Sequence, residues 1–73
     1  MDKERLKLIP HLPGSYQYYN KDGVVIYVGK AKDLHNRVNS YFIGAKSGKT
    51  AMLVEEIADF KYIIANSELE AFI

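Results

Sequence analysis

The sequence contains no cysteine and no tryptophan, and only two of its 73 residues are proline. Without cysteine the chain cannot form a disulfide framework, a thiolate zinc site or a cysteine nucleophile. Any chemistry must therefore come from oxygen and nitrogen groups. No apolar run approaches the roughly 18 residues of a membrane span, and no charged start precedes an apolar stretch as in a secretory signal. We expect an intracellular, cytoplasmic protein with no membrane segment.

The residues that are present have the composition of one small folded domain. Hydrophobic residues make up 48% of the chain and charged residues 26%, which argues against disorder and low complexity. A chain of this length buries only roughly 60% of its unfolded surface and cannot divide into two cores. We predict a single domain over residues 1–73.

The formal net charge of +1 hides a separation of charge along the chain. Residues 21–49 carry six lysines and arginines against two aspartates, whereas residues 50–73 carry one lysine against five acidic residues. Such a split is typical either of solvated faces that happen to differ or of a basic binding surface beside an acidic region. Because the basic segment also holds the motifs described below, we interpret it as a phosphate-facing surface.

The pattern of apolar and turn residues predicts an α+β fold, a small three-stranded antiparallel or mixed sheet flanked by helices. An N-terminal helix within residues 1–9 ends at a proline cluster. Ser15–Tyr19 and Val24–Val28 are predicted strands, joined as a hairpin through a tight turn at Lys21–Gly23. The unbroken β-branched and aromatic run of the second strand predicts a central strand covered on both faces.

Two helices and a third strand are predicted in the second half of the chain. Asp33 caps the first helix, and its inward-facing residues are Leu34, Val38, Tyr41 and Phe42. After a basic loop at Gly44–Gly48, Thr50 is predicted to cap the second helix. Residues 60–65 form the third strand.

A capping box at Ser67–Glu70 announces one more helix. This helix has only six residues before the sequence stops, which is short for a helix that packs a face. We therefore expect a fragment that is truncated at its C-terminus.

The stretch from Tyr27 to Arg37 is the most informative part of the sequence. Tyr27 lies near a strand end, Gly29 allows close backbone approach, and positive charge follows at Lys30, Lys32 and Arg37. A strand end, a glycine and a helix start together favour phosphate binding. The spacings GxxxxGK[ST] and GxGxxG are missing, which excludes a P-loop and a dinucleotide-binding loop. The residues alone also allow a simpler interpretation, in which the tyrosines fill the core and the cations face solvent.

Several motifs taken together resemble the GIY-YIG nuclease family. They are Gly14-Ser15-Tyr16, Tyr27-Val28-Gly29, Lys30-Ala31-Lys32-Asp33-Leu34, Arg37 and Ser40-Tyr41-Phe42. With Leu12-Pro13-Gly14 and Asn66-Ser67-Glu68-Leu69-Glu70-Ala71, the chain is most similar to the N-terminal nuclease modules of the excinuclease C (UvrC) group. The resemblance covers about residues 8–73. Ser15 and Val28 replace the middle isoleucines of the two tripeptides, at positions that pack rather than react.

The resemblance implies a DNA endonuclease that hydrolyses a phosphodiester with a single divalent cation, Mg²⁺ or Mn²⁺. It implies that Tyr27 activates the attacking water with Tyr16 as its companion, although either tyrosine could be the base. It also implies that Lys30 lies near the site and that Arg37 stabilises the phosphate. Three further residues are predicted DNA or phosphate contacts: Lys32, His35 and Gly29.

The resemblance further implies a metal-binding glutamate on the helix after the third strand, and the alignment puts it shortly beyond Ile73. We therefore expect no metal ligand within the 73 residues, and weak or no cleavage by them alone. In the family, such a module incises DNA during nucleotide excision repair beside a UvrB-like helicase subunit. Two alternatives stay open: a catalytically silent DNA- or protein-binding module of the same fold, and a stand-alone GIY-YIG nuclease.

Overall fold

A computed structural model describes residues 2–65, which form one antiparallel three-stranded sheet with helices. The elements are α1 (Lys3–Lys7), β1 (Gly14–Tyr19), β2 (Val25–Ala31), α2 (Leu34–Ser40), α3 (Gly48–Glu56) and β3 (Asp59–Ile64). The order of strands in the sheet is β2-β1-β3. The predicted α+β fold is confirmed, while the predicted capping box at Ser67–Glu70 lies outside the described residues. Within residues 2–65, no helix has the length and apolar character needed to cross a membrane.

The predicted hairpin is confirmed, and its turn is built around Asn20 and Gly23. The Asn20 side-chain oxygen accepts hydrogen bonds from the backbone N–H groups of Asp22 and Val24, at 2.9 and 3.0 Å. Gly23 has a φ of 78°, in the left-handed region that a side chain disfavours. The turn therefore needs its glycine, and it sets the register between β1 and β2.

The prediction that the second strand is central and covered on both faces is wrong. β1 is the central strand, and β2 lies at the edge of the sheet and continues through Gly29 to Ala31. Val28 is 61% exposed and Val25 is 47% exposed. A β-branched run favours a strand wherever that strand lies in the sheet, so the run predicted the strand correctly and its burial wrongly.

The core lies between one face of the sheet and the helices α1 and α2. Residues alternate along β1 so that every second side chain, including those of Tyr16 and Tyr18, points into this core. Asp33 caps α2 as predicted, because its Oδ1 accepts a hydrogen bond from the Asn36 N–H at 2.9 Å. The buried core residues are Leu6, Ile9, Tyr16, Tyr18, Leu34, Val38 and Phe60.

The helix α3 begins earlier than predicted. Ser47, not Thr50, occupies its N-cap position, and Ser47 makes no side-chain capping hydrogen bond. Both residues are accepted N-cap types and they lie one turn apart, so the sequence did not separate them. Thr50 is consequently inside the helix, with its hydroxyl released from the capping role.

Candidate active site

Four tyrosines meet on the helix-facing side of the sheet, and we refer to Tyr16, Tyr18, Tyr27 and Tyr41 as the tyrosine cluster. The register of β1 and β2 puts Tyr18 directly opposite Tyr27, and directly opposed residues share a face of the sheet. Tyr41 follows the last residue of α2, and its ring lies edge-on to Tyr18, with 5.0 Å between the centroids. The cluster therefore joins two strands to the end of α2.

A chain of hydrogen bonds runs from a guanidinium group into the cluster. Arg37 Nε donates to the Tyr16 hydroxyl at 3.3 Å, and the hydroxyls of Tyr16 and Tyr41 lie 2.9 Å apart. Burial, followed by hydrogen bonds to Tyr16 and Tyr27, raises the pKa of Tyr41 above that of an ordinary phenol. The hydrogen bond to Tyr16 in turn raises the pKa of Arg37. Arg37 therefore stays charged, and Tyr41 stays a neutral phenol.

Tyr18 belongs to the cluster by packing alone. Its side chain is fully buried, and its hydroxyl has no hydrogen-bond partner among the described residues. Burial is the first cause of a strongly raised pKa of Tyr18, with the neighbouring phenols adding to it. Tyr18 is therefore neutral and cut off from solvent.

Exposure separates the two tyrosines that the sequence left as alternatives for the base. Tyr27 is 37% exposed, whereas Tyr16 is only 1% exposed. A base must come within hydrogen-bond reach of the group that it deprotonates. Of the two, Tyr27 is the tyrosine that a substrate or a water molecule can reach.

Gly29 leaves room for the Tyr16 ring. A Cβ atom at position 29 would lie 2.4 Å from both the Cζ and the hydroxyl oxygen of Tyr16. The space beside this glycine, predicted to admit a phosphate, is thus filled by the phenol of the neighbouring strand. A DNA contact at Gly29 stays a prediction, and the packing of Tyr16 is a second reason for glycine there.

We predict that Gly29→Ala displaces the Tyr16 ring and lowers the free energy of unfolding by about 1–3 kcal/mol, as overpacking does elsewhere. Urea unfolding measures the change, and near-ultraviolet circular dichroism reports the altered tyrosine packing. Val28→Ala is the matched control, because this exposed neighbour on the same strand is expected to change stability by about 0.5 kcal/mol or less. Equal stability of Gly29→Ala and wild type would contradict the assignment.

Lys30 lies on the face of β2 opposite the tyrosine cluster. Lys30 is paired in register with Ser15, whereas Gly29 is paired with Tyr16. Because successive residues of a strand face opposite sides, position 30 lies on the face opposite Gly29 and Tyr27. Lys32 is exposed and comes directly before the Asp33 cap. Their catalytic and DNA-binding roles stay predictions.

His35 connects α2 to the segment that precedes β1. Its Nδ1 lies 2.7 Å from the carbonyl oxygen of Ile9, so Nδ1 carries a proton and donates. The His35 ring packs against His11, with 4.1 Å between centroids, and His11 Nδ1 lies 2.9 Å from the Asp33 carboxylate. The Asn36 backbone N–H, followed by His11, lowers the pKa of Asp33. His35 thus has a structural role, and its predicted phosphate contact stays a prediction.

Tyr41 and Tyr18 are the members of the cluster that sequence reasoning did not assign to the site. The apolar spacing predicts Tyr41 only as an inward-facing helix residue, although Tyr41 lies within one of the motifs that carry the family resemblance. Tyr18 follows Tyr16 by two residues, which on a strand means the same face. That spacing was the available signal for a cluster rather than a pair.

The described residues do not by themselves fit a divalent cation. Among residues 2–65, no three or more histidine, aspartate, glutamate or cysteine side chains come together as a metal-binding group. The cluster contributes phenol oxygens, and Arg37 adds a positive charge beside them. Hard cations such as Mg²⁺ favour carboxylate oxygens, which this part of the chain does not supply at the cluster.

Comparison with known proteins gives consistent matches over nearly the whole chain. The signature of the family described as UvrC-like GIY-YIG domain matches residues 12–73. The UvrABC system protein C of Oenococcus oeni is 55% identical over 71 residues, which are 97% of this chain and 12% of that protein. The chain therefore spans only a small part of the length of this curated relative.

Solved structures of one domain also match. The GIY-YIG N-terminal endonuclease domain of UvrC from Thermotoga maritima, bound to its catalytic divalent cation magnesium, is 40% identical with a TM-score of 0.82. The match covers 96% of this chain and 76% of that one. A tyrosine-to-phenylalanine point mutant of that domain, also bound to its catalytic divalent cation, is 38% identical with the same TM-score and coverage.

Proposed function

The chain belongs to the family of UvrC-like GIY-YIG domains, and we propose that it is a DNA endonuclease module that hydrolyses a phosphodiester bond in nucleotide excision repair. The observation that carries the proposal is the hydrogen-bond chain from Arg37 through Tyr16 to Tyr41, beside the exposed Tyr27. It brings a permanent cation, neutral donors and an accessible phenol together on one face of the sheet. Phosphodiester hydrolysis needs a base for the water and positive charge for the phosphate.

Tyr27 is the proposed general base. In the reaction, the Tyr27 phenolate accepts a proton from water, and the resulting hydroxide attacks phosphorus. The bond from phosphorus to the leaving oxygen breaks, and that oxygen departs as an alkoxide that takes a proton from solvent. An ordinary phenol has a pKa of about 10 and is mostly protonated at neutral pH, so the phenolate needs support from hydrogen-bond donors. Tyr41 meets this need, because its raised pKa keeps it a neutral O–H donor.

Arg37 is the proposed group that stabilises the phosphate. Its Nε is committed to Tyr16, and the guanidinium carries further N–H donors on its two terminal nitrogens. Two parallel N–H groups match two oxygens of a phosphate, and the interaction strengthens as negative charge develops in the transition state. The bond to Tyr16 fixes the direction in which the guanidinium points.

A divalent cation, magnesium in the Thermotoga maritima domain, supplies positive charge to the phosphate oxygens when it is bound. From the family resemblance, we propose that a glutamate shortly beyond Ile73 contributes a metal-binding carboxylate, which residues 2–65 do not supply at the cluster. The proposed partners are DNA and, as in the UvrABC system that gives the Oenococcus oeni relative its name, a UvrB-like helicase subunit. The proposed compartment is the cytoplasm.

A silent DNA-binding module is the second candidate function. The observation that favours it is the lack of a metal-binding group among the described residues. The basic segment over residues 21–49 supports either function, because phosphate contacts alone give sequence-independent binding. Cleavage therefore decides between the two.

We expect Mg²⁺-dependent nicking of supercoiled plasmid by the chain extended through the predicted glutamate, and its loss when EDTA removes the metal. The same chain with that glutamate replaced by glutamine is the matched control and should bind DNA without nicking it. The unextended 73 residues should cleave weakly or not at all. Salt-sensitive DNA binding without cleavage by the extended chain would favour the silent module instead.

A further inference from the structure

A small polar pocket opens beside the tyrosine cluster, between the end of α2 and the first turn of α3. Its lining residues are Arg37, Ser40, Tyr41, Lys46 and Thr50, and its volume is about 150 Å³. Arg37 and Tyr41 also belong to the hydrogen-bond chain of the candidate active site. The pocket is therefore continuous with that site, and nothing in the proposed mechanism uses Lys46 or Thr50.

The pocket has the electrostatic character of an anion site. Arg37 and Lys46 both carry positive charge, and none of the five lining side chains is acidic. Lys46 is half-buried, while its neighbours Ala45 and Ser47 are exposed. The ion pairs of the described residues do not include Lys46. An anion in the pocket would give Lys46 the charge partner that the ion pairs of the described residues do not give it.

The hydroxyl groups of the pocket differ in what they can donate. Ser40 donates its hydroxyl proton to the Arg37 carbonyl oxygen, at 2.6 Å. Thr50 lies in the first turn of α3 and does not cap it, since the N-cap is Ser47. The hydroxyl group of Thr50 is therefore available to donate a hydrogen bond to a ligand in the pocket, which Lys46 also lines.

The size of the pocket is compatible with a phosphate group. Its volume is about 150 Å³, which is large enough for one phosphate. Because Arg37 lines both this pocket and the candidate active site, a phosphate bound here would lie beside the guanidinium group that we assign to the scissile phosphate.

We propose that the polar pocket binds the DNA backbone phosphate adjacent to the scissile one, with Lys46 and Thr50 as the residues that hold it. The proposal rests on the proposed endonuclease function and adds a positioning contact to it. Such a contact carries no sequence information, since phosphate contacts fix the register of a protein on DNA and not the bases it reads. It determines which phosphodiester of the strand faces Tyr27.

The test combines protein variants with single neutral phosphates in the DNA. Duplexes carry one methylphosphonate at each successive position around the mapped cleavage site. All measurements use the chain extended through the predicted glutamate, which is called wild type when it carries no substitution. Binding of these duplexes is measured by fluorescence anisotropy without divalent cation, and their cleavage is measured with Mg²⁺. The variants are Lys46→Ala and Thr50→Val, and Lys49→Ala is the matched control, because this exposed neighbour does not line the pocket.

We expect one methylphosphonate position, next to the cleaved bond, to weaken wild-type binding and to have little further effect on Lys46→Ala. Such non-additivity marks groups that contact each other. Lys46→Ala should also lower the slope of log affinity against log salt by about one. Thr50→Val should couple to the same position, whereas Lys49→Ala should be additive at every position.

Two outcomes would overturn the assignment, and they are distinguishable. If wild type cleaves DNA but Lys46→Ala and Thr50→Val are additive with every methylphosphonate, the pocket does not hold the neighbouring phosphate and the endonuclease function stands. If wild type binds these duplexes and cleaves none of them with Mg²⁺, the endonuclease function fails, and the assignment fails with it.

Discussion

Arg37→Ala is expected to lower kcat for Mg²⁺-dependent DNA cleavage by about 100- to 1000-fold, the range seen when one preorganised transition-state donor is removed. The substitution removes the positive charge from the phosphate and the N–H donor from the Tyr16 hydroxyl. Single-turnover cleavage of a nicked duplex, performed with the chain extended through the predicted glutamate, measures the change. Because the contact strengthens in the transition state, kcat should fall more than KM rises.

Two controls separate the geometry of Arg37 from its charge and from general damage to the fold. Arg37→Lys keeps one positive charge but loses the planar fork, and it should recover only part of the rate. Arg5→Ala removes an arginine that pairs with Asp59, on β3, at a partly exposed position. It should leave kcat unchanged and lower stability by roughly 1 kcal/mol or less. A rate for Arg37→Ala within tenfold of wild type would show that the phosphate is stabilised by other groups.

The parts of this site that could be predicted are those decided within a few neighbouring residues. Asp33 stands directly before Leu34 and Val38, and a cap followed by apolar residues one turn apart specifies a helix locally. That helix carries Arg37 toward the sheet. The turn at Gly23 likewise specifies the hairpin that brings β1 and β2 together.

The parts that could not be predicted depend on which elements pair at long range. The run Val24–Val28 has the same β propensity in an edge strand as in a central one, so its burial had to come from the sheet order. Lys30 and Gly29 are adjacent in the motif but lie on opposite faces of β2. The motif, from which a catalytic role is predicted for Lys30, therefore did not indicate that Lys30 lies on the other face of the strand.

The tyrosine cluster depends on both kinds of information. The spacing of Tyr16 and Tyr18 is local, and it puts two phenols on one face of β1. Tyr27 reaches them through the register of the hairpin, and Tyr41 through the packing of α2 against the sheet. We propose different roles for the four tyrosines on the basis of their exposure. The four side chains carry the same phenol group, and they differ chiefly in how far solvent and DNA can reach it.

Tyr27→Phe is expected to reduce the rate of DNA cleavage by about 100- to 10,000-fold, which is the usual contribution of a general base. The affinity for DNA should stay within about twofold of wild type, because the substitution removes no phosphate-binding cation. In wild type, the rate should rise with pH, because the proposed mechanism uses a phenolate as the base. The pKa values of Tyr18 and Tyr41 are raised by burial, so those two phenols stay protonated at neutral and mildly alkaline pH. The rise should therefore disappear in Tyr27→Phe, and a pH profile of the single-turnover rate checks it.

Tyr18→Phe is the matched control for this prediction, since it removes one hydroxyl from the same cluster. That hydroxyl is buried without a partner in the described residues, so its loss should leave the rate and its pH profile unchanged and stability equal to or higher than wild type by about 1 kcal/mol. Tyr16→Phe should lie between the two, because it breaks the hydrogen bonds to Arg37 and Tyr41 without removing the exposed phenol. If Tyr16→Phe abolished the rise with pH and Tyr27→Phe kept it, the buried tyrosine would be the base, and the role assigned from exposure would be wrong.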